Sequence, residues 1–563
     1  DSSIETTGTG VFAIAVSGAT SVLAVSGTAF SGTDDVARRI LIAAGAMTNA
    51  DFTLASQDGL EAYVLGGGYE IPAGRVATFG PGTTVIPSGR LTVRGRLVTS
   101  GSEAAPTVIG SGGDWEGIFF EGGTGLLSHA RLLNAGHNSQ GITVRNVAVP
   151  GVVLDHASLE QQSQGIAVVD SALTVRDSSI ETTGTGVFAI AVSGPSSTLA
   201  LSNNTFGGTS DVANQVRLAA GAMTGADFTL IPQNGLDAYR LPETYEVPAG
   251  RTVTLAAGTR VRCDWELTVR GRLVSQGTAT SPASVTWGRS AWGDRTWIGL
   301  VFDGGTGHLA YTSIEEADDK GVTVRNAGAE GVVLDHCTIG PSSGRGGLVV
   351  DGSSVTATST IFTGVTANGA YPLVVRGASS RLTLTDATFQ GNWANDVLLE
   401  SGAMTGADFT LTPQTGLSAY RLGADYEIPE GRTVTVLPGV TVRQPWTTLV
   451  RGRLVAEGTP ANPVVLAAGR GDIDGNPTWV GVTVDGGTAI FRHARITDNA
   501  VLKAVNQGTL RLERSRVVGG TVRAESATAI LANTAVTDSY GNALEAALAS
   551  TLSATHVTIA RVR

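Results

Sequence analysis

Apolar and polar residues alternate along the chain in short runs, each closed by Gly, Asn, Asp or Ser. In Leu334, Asp335, His336, Cys337, Thr338, Ile339 the order is apolar, polar, turn residue, small, polar, apolar. A period of two over four to six residues is the signature of a half-buried strand, and the runs are rich in Val, Leu, Ile and Thr. The pattern predicts an all-β chain with a sharp bend inside each unit.

Aligning the same template along the sequence places Gly27, His129, His156, Asp177, Asn203, Tyr311, His336, Ser359, Asp386, His493, Arg514, Asn533 and His556 in one turn column. Most of these types tolerate a left-handed backbone, the cheapest way to bend between two strands with a single residue. Related units return every 20 to 27 residues, as GITVRNVAVPGVVLDH from Gly141 and GVTVRNAGAEGVVLDH from Gly321 show. That period marks a solenoid, in which a coil buries its apolar face only when neighbours stack on it. About 23 coils are expected over the chain.

A longer repeat is superimposed. GAMTNADFTL at Gly45 returns as GAMTGADFTL at Gly221 and Gly402, offsets of 176 and 181 residues. YEIPAGR, YEVPAGR and YEIPEGR follow from Tyr69, Tyr245 and Tyr426, and a Trp-x-Gly phrase stands at Trp115, Trp297 and Trp479. The expected organisation is the end of one super-repeat (1–44), two full super-repeats (45–220 and 221–401) and a last, truncated one (402–563). Asp1 to Gly18 recurs letter for letter at Asp177 to Gly194, so the natural chain is expected to continue beyond both ends.

These paired runs resemble the parallel β-helix repeats of secreted and surface proteins of bacteria, which share the fold of the pectate-lyase-like superfamily. LTVRGRLV from Leu91 and Leu267, and WIGLVFDGGTG from Trp297, are similar to their opening coils. The resemblance covers nearly the whole chain and implies a right-handed parallel β-helix with a scaffold or adhesin role. The fold also carries enzymes, so it does not itself settle function.

Composition narrows the partners. The net charge is -11, no Lys/Arg block occurs, and Lys320 and Lys503 are the only lysines. This argues against nucleic acid and anionic membrane surfaces, which are held by clustered positive charge. Gly is frequent at 75 residues, yet 42 % of residues are apolar, enough for a packed core. No run of about 18 apolar residues suggests a transmembrane helix.

Catalytic constellations are sparse. Asp318 and Asp319 superficially match the paired carboxylates of polygalacturonase-like enzymes, but read more simply as a polar loop. Five of the seven histidines lie in the turn column, where geometry explains them. Asp472, Asp474 and Asn476 alternate as calcium ligands do but lack a distal Glu, leaving only a weak metal candidate. Trp287, Trp292 and Trp297 form a single cluster, the best aromatic candidate for glycan contact. Cys263 and Cys337 are expected to be free thiols, with Cys337 buried.

The reading is therefore a non-enzymatic, cofactor-free structural or adhesive segment of an extracellular or bacterial cell-surface filament protein. Its expected partners are further copies of itself, end to end or side by side, and cell-surface glycan, without nucleic acid or membrane insertion. The alternatives are a carbohydrate-active β-helix enzyme and a glycan-binding adhesin.

Overall fold

The computed structural model describes residues 2–111, 113–137, 140–288, 297–342, 346–469, 480–498 and 500–563. Its sheets are all parallel and stack as a β-solenoid of about 22 turns, close to the number that the repeat period predicts. Among the described residues the only helical element is a three-residue 3-10 turn, Val36–Arg38. Two compact units are distinguished, Asp1–Trp265 and Glu266–Arg563.

Within the first unit each coil lays down three strands in order, for example Arg90–Val93, Arg96–Ser100 and Thr107–Ile109. Each pairs with its counterpart in the next coil, at Gly117–Glu121, Thr124–Ser128 and Ala130–Leu133. Alternation sends every second side chain inward, so equivalent residues stack. Tyr69, Leu91, Ile118, Ile142, Ile166, Ile190 and Val216 form one such column, register partner on register partner. All seven are at most 1 % exposed. Burial of a large aliphatic side chain stabilises by about 1.5–3 kcal/mol, so the column binds coil to coil more than any polar contact does.

The bend between second and third strands is a single left-handed residue. All thirteen residues of the turn column have φ between 44° and 56°, from Tyr311 to Gly27. The peptide N–H just after the bend would be orphaned, and a side chain of the following coil takes it up. Ala157 N–H donates to Ser178 Oγ (2.9 Å), Ser178 N–H to Asn204 Oδ1 (3.1 Å) and Asn204 N–H to Gln233 Oε1 (2.9 Å). In the second unit Ala494 N–H donates likewise to Ser515 Oγ (3.1 Å). The small inward position of the sequence template is thus a rung of buried hydroxyls and amides.

The GAMTxADFTL phrase shifts the repeat by one face. Gln215–Leu218, a first strand, pairs onward with Ala238–Leu241 and that with Arg260–Cys263. By sequence these two match Ala62–Leu65 and Thr84–Pro87, which are third strands. One sheet therefore runs through the junction while the repeat's order of faces advances by one. Arg39–Ile42 passes to Ala62–Leu65 in the same way. In the second unit Asp396–Leu399 passes to Ala419–Leu422 and on to Thr441–Gln444. The second-strand sheets do not continue: Arg381–Thr385 ends one and Phe409–Leu411 begins another. An opening of about 310 Å³ separates those strands, and its counterpart over residues 21–55 holds about 350 Å³.

Each junction is built from the same parts. Met47, Met223 and Met404, the chain's three methionines, are buried with φ of 60°, 61° and 62°. Tyr69 donates its hydroxyl to Ala46 O (2.6 Å), and Tyr245 and Tyr426 donate to the carbonyls of Ala222 and Ala403. Tyr63, Tyr239 and Tyr420 close the adjoining loop through Ala55 O, Ile231 O and Thr412 O, at 2.7, 2.7 and 2.8 Å. Asp51, Asp227 and Asp408 each accept the first N–H of a second strand, from Val76, Thr252 and Thr433.

Candidate functional site

The turn column and the third strands beside it form an open groove in both units. In the first unit it holds about 630 Å³, headed by the 102–106 loop and lined by His129, Arg131, His156, Asp177 and Asn203. The His129 and His156 rings stack at 4.8 Å with 5° between their planes. Coil stacking alone places them so, because equivalent outward side chains repeat at about 4.8 Å. The groove over His493 to His556 in the second unit holds about 560 Å³. Between 278 and 388 the corresponding ladder carries Tyr311 stacked on His336 at 4.6 Å.

Charges in the first-unit groove satisfy one another across coils. Arg131 grips both oxygens of Glu160 at 2.8 Å and holds its carboxyl below the usual range. Asp155 is likewise lowered, chiefly by Arg176 at 2.8 Å and also by His156. Asp155, His156 and Asp177 bring three ligand atoms within 4.8 Å of one another. Sequence reasoning missed this trio because Asp177 lies one coil away from the other two. Its atoms are already engaged: Asp155 accepts from Arg176 and His156, and Asp177 from Asn203 at 3.2 Å.

The candidates read from sequence fare differently. Asp472, Asp474, Asn476 and Trp292 lie outside the described residues. Trp297 is fully buried, so its indole fills the core and offers no face to a sugar ring. Trp115, at the same place in the preceding super-repeat, is 4 % exposed and donates its Nε1 to Leu133 O at 2.8 Å. Trp287 ends the strand Ala283–Trp287, half-buried. Among the described residues the exposed indoles are instead Trp265 (47 %) and Trp446 (50 %), which share one place in their super-repeats and carry no spacing signal. Asp319, in the loop after Thr312–Ile314, faces Lys320, the first residue of the strand Lys320–Arg325, at 3.7 Å.

Cys263 and Cys337 are free and buried. Burial pushes the Cys337 thiol up to about 11, and its Sγ lies 3.1 Å from Leu309 O. Burial raises the Cys263 thiol as well. A thiol held protonated is a poor nucleophile, so both behave as core side chains. No helix among the described residues is long and apolar enough to cross a membrane.

No protein-family model matches the chain, and no curated protein does. Identity therefore rests on the architecture itself: parallel strands stacked coil on coil, a left-handed turn column in register, and tandem super-repeats. By its fold, the chain is a parallel β-helix repeat protein.

Proposed function

We propose that this chain is a structural and adhesive segment of an extracellular surface or filament protein, built to extend a stack and to present its outer faces. The observation that carries this reading is the junction. Its tyrosine locks, left-handed methionine and aspartate cap occur three times with the same partners. The residues that recur most faithfully are thus those that continue the stack, a pattern suited to a scaffold that lengthens by duplication.

The terminal coils of a stack carry unpaired strand edges, which favour joining to a further copy. Electron microscopy of the chain over a range of concentrations tests the proposal. Rods that lengthen by end-to-end joining as concentration rises are expected. Separate particles of one length at every concentration contradict it.

A further inference from the structure

The groove of the last super-repeat differs from its counterpart in the first unit by charge. We propose that it is a binding site for a linear anionic glycan, held by Arg495, Arg514 and Arg516; this deepens the adhesive part of the function proposed above and rests on it.

The phrase His129, Ala130, Arg131, Leu132 recurs as His493, Ala494, Arg495, Ile496. In the first unit the following coil supplies Ser158 as the neighbour of Arg131 and Glu160 as its partner. In the last super-repeat the equivalent places hold Arg516 and Val518. Arg495 and Arg516 are register partners on adjacent strands, so two arginine side chains leave the same row from backbones about 4.8 Å apart. Arg514 projects from the turn column of the same coil as Arg516 and is exposed. Like charges opposite one another on a sheet cost stability.

Elsewhere in the last super-repeat arginines are neutralised across coils: Arg492 by Glu457 and Glu513, Arg523 by Glu545, Arg561 by Asp538. Arg495, Arg514 and Arg516 have no carboxylate partner among the described residues, and the groove lining contains no Asp or Glu. In a chain of net charge -11, this leaves a concentrated cationic strip.

The groove runs along the solenoid axis from His493 to His556, three coil spacings or about 14 Å, with its arginines on the first two coils. A ligand that uses its length must set negative charge against the first two coils and neutral polar groups against the next two. Guanidinium forks match carboxylate and sulfate oxygens in pairs. Asn533 and Thr558, also in the lining, offer the amide and hydroxyl partners that sugar hydroxyls need. The lining holds no Phe, Tyr or Trp, the platforms on which single-stranded nucleic acids stack their bases. Acidic glycan fits this chemistry better than nucleic acid does.

Calorimetric titration of the full chain with uronate and sulfated oligosaccharides, alongside neutral dextran and single-stranded DNA, tests the site. Acidic oligosaccharide is expected to bind, more weakly as salt is raised, and dextran not to bind. Arg495→Ser combined with Arg516→Ser weakens binding by about tenfold or more for each guanidinium removed. Both residues are exposed and their removal relieves the like-charge pairing, so the variant keeps or raises its melting temperature. Val518→Glu restores the acid of the first-unit groove and weakens binding with every arginine in place. No binding by the parent chain, equal binding by these variants, or equally tight binding of single-stranded DNA overturns the inference. Rods that bind no acidic glycan defeat this site and leave the scaffold reading standing; separate particles that bind it do the reverse.

Discussion

Ser359 holds a left-handed backbone (φ 48°) in the turn column, where most other coils use His, Asn or Asp. An L-residue in this region costs about 1–2 kcal/mol, less for Asn and more for a β-branched side chain. Ser359→Asn is therefore expected to leave the urea midpoint unchanged or raised. Ser359→Val is expected to lower stability by about 1–2 kcal/mol relative to it. Equal midpoints for the two variants would show that the bend is not held left-handed in solution. The column is legible in sequence because most of its residues tolerate this backbone, and the alternating template places the others, Tyr311, Ser359 and Arg514.

Other residue-scale features are not legible in that way. Trp297 reads as a candidate for glycan contact because Trp287 and Trp292 lie close by in sequence, yet it is buried. The Trp-x-Gly phrase marks entry to a first strand, where the indole is needed to fill the core. The unneutralised Arg495 and Arg516 are invisible for the opposite reason. They are 21 residues apart, and only strand register shows them as neighbours with no acid between them.

At the scale of elements, the junction strands carry buried charge. Arg421 lies on Ala419–Leu422 and reaches back across the junction to Asp396, with Nη2 to Oδ2 at 3.2 Å; the carboxylate's side chain is 2 % exposed. Arg443 adds a contact at 3.6 Å. In the first unit the equivalent Arg240 instead reaches forward to Asp264 at 3.0 Å. Position 445, which matches Asp264, is a proline, so Arg421 has no forward acid there. Removing one partner of a buried pair strands the other, whereas replacing both by apolar groups is close to neutral. Arg421→Met is expected to lower stability by about 3 kcal/mol, and Arg421→Met with Asp396→Val to recover most of that loss. A double variant no more stable than the single one would mean that the pair does not neutralise Asp396. The recurrence of GAMTxADFTL is obvious in sequence, but its effect is not. Three kinds of strand share one alternating pattern, and nothing in a strand's composition says which face it occupies.

Across the molecule, the consequence of this phase shift is directional. In the second unit the third strands before the junction, such as Thr388–Gln390, belong to one sheet, and those after it, such as Ala494–Ile496, to another. The ladders of successive super-repeats therefore lie on different faces of that unit. A scaffold made this way displays the same kind of groove in more than one direction without any change in its core. The solenoid itself is foreseeable from two periodicities, since a coil of this repeat length cannot bury its apolar side until neighbours stack on it. The advance of the faces emerges only from main-chain pairing.

That advance can be tested with paired cysteines on the first unit, where Leu41 and Val64 are half-buried register partners on neighbouring strands. Strands adjacent in a sheet bring Cα atoms within the span of a disulfide. The Leu41→Cys, Val64→Cys variant is expected to crosslink on oxidation, read by mass spectrometry, while the Leu41→Cys, Glu70→Cys variant stays reduced. Crosslinking of the second variant in place of the first would mean that super-repeats stack with their faces in phase, contradicting the account.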